Sequence, residues 1–117
     1  MTQHGKINYV EFPACDLLAT KSFFSEAFGW TFTDFGPDYT AFSDQGLDGG
    51  FFRADQFADT ANGSALIVLF SDSLEQTEIN VRQTGGKIVK PIFEFPGGRR
   101  FHFTEPSGNE FAVWSDK

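Results

Sequence analysis

The chain has 117 residues, 40% of them hydrophobic and 21% charged, and a chain of this length forms one domain that buries about two-thirds of its extended-chain surface. Its formal net charge of -7 is spread along the sequence, which disfavours nucleic acid and anionic membranes as partners. The lone Cys15 excludes an internal disulfide. Because the sequence also has no signal-peptide pattern and no membrane-length apolar stretch, it predicts a cytoplasmic protein.

The first half of the chain predicts a strand, a helix and three more strands. Residues 7–12 alternate between the two faces of a half-buried strand. Asp16 is a typical helix N-cap and Gly29 a typical terminator, and the apolar spacing between them predicts a helix over residues 17–28. Strands are predicted at 31–34, 39–43 and 49–53.

The second half predicts the same order of elements after a polar linker. Residues 54–64 are small and polar with no periodicity, which is typical of a connection. A strand at 65–70 and a helix at 73–84 follow. The remaining strand candidates are 87–95, 99–103 and 109–114.

The two halves indicate one duplicated unit inside a single domain covering residues 1–117. A shift of 57 positions places Leu17 on Leu74 and Gly29 on Gly86. The predicted units are βαβββ at about 7–53 and βαβββ at about 65–114, joined by the linker at 54–64.

Three motifs carry a resemblance to a known superfamily: "FFSEAFGW" at the end of the first helix, "GLDGGFF" at the end of the first unit and "EPSGNEFAVW" near the C-terminus. With the two βαβββ units, they resemble the vicinal oxygen chelate superfamily of glyoxalases, bleomycin resistance proteins and dioxygenases, and most closely its glyoxalase-related bacterial branch. The resemblance implies an α+β fold in which two βαβββ units form a half-open barrel around a central cavity.

The resemblance also implies where a metal would bind. Metal-using members take one ligand from the first strand and one from the last strand of each unit, and these places fall at Tyr9, Phe51, Leu66 and Ala112. In such a site Zn, Ni, Fe or Mn needs imidazole and carboxylate ligands, so the sequence predicts no metal and no cofactor. The predicted ligand-binding residues are Tyr9, Phe51, Leu66, Phe101, Ala112 and Trp114.

Two residues are candidates for acid–base chemistry. Glu11 shares a strand face with Tyr9, and there it either lies on an apolar wall suited to proton transfer or is solvated or paired with an arginine. His102 lies between two phenylalanines and is either a packed structural residue or a proton-transfer group. The segment "PGGRR" either binds an anion or forms a tight turn with solvated charges.

Two functions remain open on the sequence. The first is metal-free binding of a small apolar or aromatic molecule, which the sixteen phenylalanines favour if some of them line a cavity instead of the core. The alternative is a lyase, isomerase or dioxygenase of the same superfamily, with an unusual metal site or with Glu11 and His102 as acid and base. The resemblance and the phenylalanine content together predict a homodimer.

Overall fold

The computed structural model describes residues 2–117 and contains eight strands, two α-helices and one turn of 3₁₀-helix. The first unit comprises β1 (Tyr9–Ala14), α1 (Leu17–Phe28), β2 (Phe32–Asp34), β3 (Tyr39–Phe42) and β4 (Asp48–Arg53). The 3₁₀ turn spans Thr60–Asn62. The second unit comprises β5 (Ile67–Phe70), α2 (Leu74–Gln83), β6 (Lys87–Phe95), β7 (Gly98–Thr104) and β8 (Glu110–Ser115).

The ends of α1 are fixed by local chemistry. The Asp16 carboxylate accepts a hydrogen bond from the backbone N–H of Ala19 at 3.0 Å, which satisfies one of the free donors of the first turn. Gly29 ends the helix in a left-handed conformation with φ of +74°. The predicted helix over residues 17–28 is therefore confirmed, including both of its caps.

Each unit builds one four-stranded sheet, in the order β1-β4-β3-β2 and β5-β8-β7-β6. In both sheets the first strand pairs in parallel with the last strand of its unit, and the other pairings are antiparallel. The helix supplies the crossover that a parallel pair requires. The α+β fold predicted from the sequence is confirmed.

One face of each sheet packs on the helices, and this packing uses most of the phenylalanines. Phe24 of α1 lies between the two sheets, with its ring centroid 5.7 Å from that of Phe51 in β4 and 5.1 Å from that of Phe111 in β8. The ring of Phe12 in β1 packs at a tilt against that of Phe111, with the centroids 4.9 Å apart. No strand pairing joins the two sheets within residues 2–117, so aromatic packing carries much of the contact between the units.

The "EPSGN" turn between β7 and β8 adds a polar connection between the units. Glu105 is buried and accepts a hydrogen bond of 2.6 Å from the hydroxyl of Thr20 in α1. The Asn109 amide donates to the carbonyl of Pro13 in β1 at 2.7 Å and accepts from the N–H of Ala58 in the linker at 2.8 Å. The turn therefore joins the last hairpin to the first strand, the first helix and the linker.

Neither helix within residues 2–117 is long and apolar enough to cross a membrane.

Candidate functional site

The second sheet has a face that points away from α2, and we call it the second open face. Strand alternation places Arg100 and His102 of β7 on this face, because Phe101 and Phe103 point into the core. The register then sets Ala112 of β8 opposite His102. The residues of β5, β7 and β8 on this face are Val68, Phe70, Arg100, His102, Thr104, Glu110, Ala112 and Trp114.

A buried histidine–carboxylate pair lies at one end of the second open face. His102 is only 2% exposed, and its Nδ1 lies 2.7 Å from Oε2 of Glu110. The other carboxylate oxygen accepts hydrogen bonds of 2.8 Å from both the backbone N–H and the hydroxyl of Thr60 in the linker. Nε2 of His102 is buried and has no hydrogen-bond partner in the part of the chain that the structure describes. The linker therefore orients the carboxylate, and the carboxylate orients the imidazole.

The surroundings of Glu110 favour its ionised form. Burial opposes ionisation, but the hydrogen bonds from Thr60 and His102 outweigh this effect and lower the pKa of the Glu110 carboxyl below its usual value. The ion pair with His102 is fully formed only when the imidazole is protonated.

The other end of this face carries a groove of about 360 Å³, lined by Val68, Phe95, Gly97, Arg100 and Trp114. We call it the arginine groove. The guanidinium carbon of Arg100 lies 5.5 Å from the ring centroid of Phe93 and 5.7 Å from that of Phe95, within the range of cation–π attraction. The Trp114 ring packs edge-on against Phe70, which is 54% exposed. Aromatic walls and one cation therefore meet in an open groove.

The first sheet presents a different set of groups on its own open face. The hydroxyls of Tyr9 and Tyr39 are hydrogen-bonded at 2.5 Å, and Tyr39 donates to Glu11 at 3.1 Å. Burial raises the pKa of Tyr39, and its hydrogen bonds to Tyr9 and Glu11 raise it further. Tyr39 belongs to β3 and its two partners to β1, so its ring crosses the intervening strand β4 at Gly50.

The structure corrects the placement of two predicted ligand-binding residues. Phe51 has no exposed surface and packs against Phe24 of α1, on the face opposite to Tyr9. Glu11 pairs with Gly50 in the register of the first sheet, as Val68 pairs with Ala112 in the second. The counterpart of Ala112 is therefore Gly50, and the sequence alignment was wrong there by one residue. Phe101 is also fully buried on the helix side of its sheet.

The remaining predicted binding residues lie on the open faces. Tyr9 is exposed on the first, and Trp114 lines the arginine groove of the second. Leu66 is half-buried immediately before β5. Ala112 faces the same side as Trp114 but has 0% exposed surface, so a molecule in the groove meets its neighbours and not Ala112 itself.

A divalent metal does not fit the places at which metal-using members bind one. Those places hold Tyr9, Gly50, Leu66 and Ala112. They offer one phenol oxygen, already hydrogen-bonded to Tyr39, where such a site needs several imidazole or carboxylate donors. No group of three or more His, Cys, Asp or Glu side chains within residues 2–117 is arranged to hold a metal ion.

The two predicted acid–base residues are not paired with each other. Glu11 is exposed on the first sheet and bonds to Tyr39, whereas His102 is buried on the second and bonds to Glu110. Glu110, the partner of His102, was not among the residues predicted from the sequence. The relevant pattern was present in the sequence: Glu110 and Ala112 are two residues apart on one strand, so their side chains lie on the same face.

The comparisons with known proteins agree with this architecture. The family model of the Glyoxalase/Bleomycin resistance protein/Dioxygenase superfamily matches residues 6–113, and the chain belongs to that superfamily. No curated protein matches the sequence significantly.

Several solved structures share the fold. A glyoxalase-related enzyme from Fulvimarina pelagi is 16% identical with a TM-score of 0.80, covering 95% of this chain and 88% of its own. Lactoylglutathione lyase from Agrobacterium tumefaciens is 16% identical with a TM-score of 0.71, covering 97% of this chain and 96% of its own. TnmS3, an antibiotic binding protein from Streptomyces sp. CB03234, is 19% identical with a TM-score of 0.69, covering 98% of both chains. At these identities the likeness establishes the fold alone.

Proposed function

We propose that this protein binds a small aromatic molecule in the arginine groove without a metal ion. One observation carries the proposal. Where metal-using members have a ligand on the last strand, this chain has the buried Ala112, and beside it lies a groove with Phe95 and Trp114 in its wall. Pockets for small molecules are concave and mostly apolar, with a few polar groups that fix orientation. The antibiotic binding protein with the same fold supports a binding role.

The test is a thermal-shift screen of aromatic compounds against protein dialysed with a chelator. A compound at 100 times its dissociation constant that binds only the folded state adds about 2.7 kcal/mol of stability. We expect hits among aromatic compounds, with the shift lost in Trp114→Ala and kept in the control Phe35→Ala. Phe35 is an exposed ring of the first unit that does not line the groove.

Fluorescence gives an independent measurement of the same event. The chain has two tryptophans, and Trp30 is buried in the core against Phe24 while Trp114 lines the groove. A bound aromatic compound is expected to change the emission of the wild type and not that of Trp114→Phe. Absence of any aromatic hit, or hits that depend on an added divalent metal, would contradict the proposal.

A second candidate function is acid–base catalysis by His102. The specific observation in its favour is the imidazole oriented by Glu110, whose buried Nε2 forms no hydrogen bond within residues 2–117; a positioned general base contributes roughly 10² to 10⁴ in rate. Turnover of the glutathione hemithioacetal of methylglyoxal in metal-free buffer, falling at least about 100-fold in His102→Gln but not in Glu26→Gln, would favour this function. If the protein only binds its ligand, we expect no turnover by the wild type or by either variant.

A further inference from the structure

We propose that the molecule bound in the arginine groove is an aromatic carboxylate, with its carboxylate held by Arg100 and its ring against Trp114. This inference rests on the proposed binding function and names the chemical class of its ligand.

Arg100 differs from the other arginines in having no acidic partner. Arg53 pairs with Asp38, Arg82 with Glu78 and Arg99 with Glu75; among residues 2–117, Arg100 forms no ion pair. Its Nε is buried with no hydrogen-bond partner. The terminal nitrogens of the guanidinium also form no hydrogen bond among these residues, and they are not buried, so they are donors that an acceptor from outside the chain is able to reach.

The groove holds the guanidinium ready for such an acceptor. Contact with the rings of Phe93 and Phe95 limits the rotamers of a side chain that is otherwise flexible, which lowers the entropy lost on binding. A planar guanidinium binds a planar carboxylate through two parallel hydrogen bonds. Trp114 lies directly opposite Arg100 in the register of β7 and β8, so one molecule is able to contact both.

The net charge of the chain means that a preference for a carboxylate ligand has to arise in the arginine groove itself. At a net charge of -7 the protein repels anions on average. Nonspecific attraction therefore does not explain a preference for a carboxylate over its neutral analogue. Such a preference requires a local cation, and Arg100 is the one that lines this groove.

The experiment compares 2-naphthoate with its neutral analogue 2-naphthamide by calorimetric titration of the full chain. For the wild type we expect naphthoate to bind at least about tenfold more tightly than the amide, because a hydrogen bond to a charged group is worth about one factor of ten or more. In Arg100→Gln we expect the two affinities to become equal. Arg100→Lys keeps the charge without the planar fork and is expected to be intermediate, while Arg82→Gln on α2 leaves the preference unchanged.

The outcomes separate this inference from the function on which it rests. If the wild type binds both compounds equally, or if Arg100→Gln binds naphthoate as tightly as the wild type, the inference is overturned and the binding function stands. If Arg100→Gln changes the light-scattering mass, Arg100 contacts a second copy of the chain and the inference is also overturned. If no aromatic compound of either charge binds, both the inference and the proposed function fail.

Discussion

Glu110 connects the linker to two strands of the second unit through its two carboxylate oxygens. One oxygen accepts from Thr60 in the linker and the other contacts Nδ1 of His102 in β7, while the residue itself belongs to β8. It is 6% exposed, so water replaces these partners poorly when one is removed.

Glu110→Gln is expected to destabilise the fold by about 1 to 3 kcal/mol at neutral pH, because the buried network loses its negative charge and one of its two acceptor oxygens. The hydrogen bonds that outweigh burial lower the folded-state pKa of Glu110. The stabilisation by its ionised form is therefore full above the unfolded-state pKa, near 4.3 for glutamate, and is lost as the pH falls through the folded-state pKa.

Urea denaturation of the wild type and Glu110→Gln across the acid range measures this difference. The exposed Glu26→Gln on α1 is the control, with an expected change below about 0.5 kcal/mol. A gap between wild type and Glu110→Gln that widens as the pH falls below about 4.3, the usual pKa of glutamate, would show that the sign is wrong.

The side chain of Tyr39 lies across Gly50 and leaves no room for a side chain at this position. A Cβ at this position would collide with the Tyr39 ring and lie 2.9 Å from the carbonyl oxygen of Thr40. Gly50→Ala is expected to cost about 1 to 3 kcal/mol through overpacking and to separate Tyr39 from Tyr9 and Glu11. A double-mutant cycle with Tyr39→Ala tests the cause: the cost of Gly50→Ala should shrink when the ring is absent, and strict additivity would contradict this explanation.

At the scale of elements, local sequence signals were sufficient for most boundaries but not for the site. Asp16 and Gly29 fix α1 because capping depends on neighbouring residues. The face on which Phe51 lies depends on its register with β1, 39 residues earlier at Phe12, and a slip of one residue reverses the face. The contact between Thr60 and Glu110 joins an aperiodic linker to a distant strand, and no local pattern predicts it.

The hydrogen bonds of the "EPSGN" turn to other elements are expected to contribute to the stability of the fold. Asn109→Ala removes the acceptor of the Ala58 N–H and the donor to the Pro13 carbonyl. Each buried group left without a partner costs about 1 to 3 kcal/mol, so we expect a loss on the order of 3 kcal/mol. Thermal unfolding measures it, with Asn62→Ala as the control because the exposed Asn62 side chain bonds to its near neighbour Asp59 and to no distant element within residues 2–117. A loss as small as that of the control would contradict the role of the turn in joining the units.

At the scale of the whole molecule, exposed apolar side chains outside the arginine groove lead us to propose a homodimer that leaves this groove open. Tyr9 and Phe52 lie on the first open face, and Phe70 lies on the second without lining the groove; exposed apolar surface of this kind marks interaction sites. Light scattering is expected to give twice the 13.0 kDa of one chain. Phe70→Asp should shift the mass towards the monomer, and Leu18→Asp, at a more exposed site on α1, should not. A wild-type mass of one chain would contradict the proposal.

The central claim is that an aromatic molecule binds the second open face without a metal, and a ¹H–¹⁵N NMR titration in chelator tests it most directly. With the tightest aromatic compound from the screen, we expect shifts at the indole N–H of Trp114 and at the amides of Val68 and Gly97, which line the groove. The indole of the buried Trp30 should stay in place. Shifts confined to Tyr9 and Tyr39 on the other sheet, or shifts at Trp114 that require an added divalent metal, would contradict the claim.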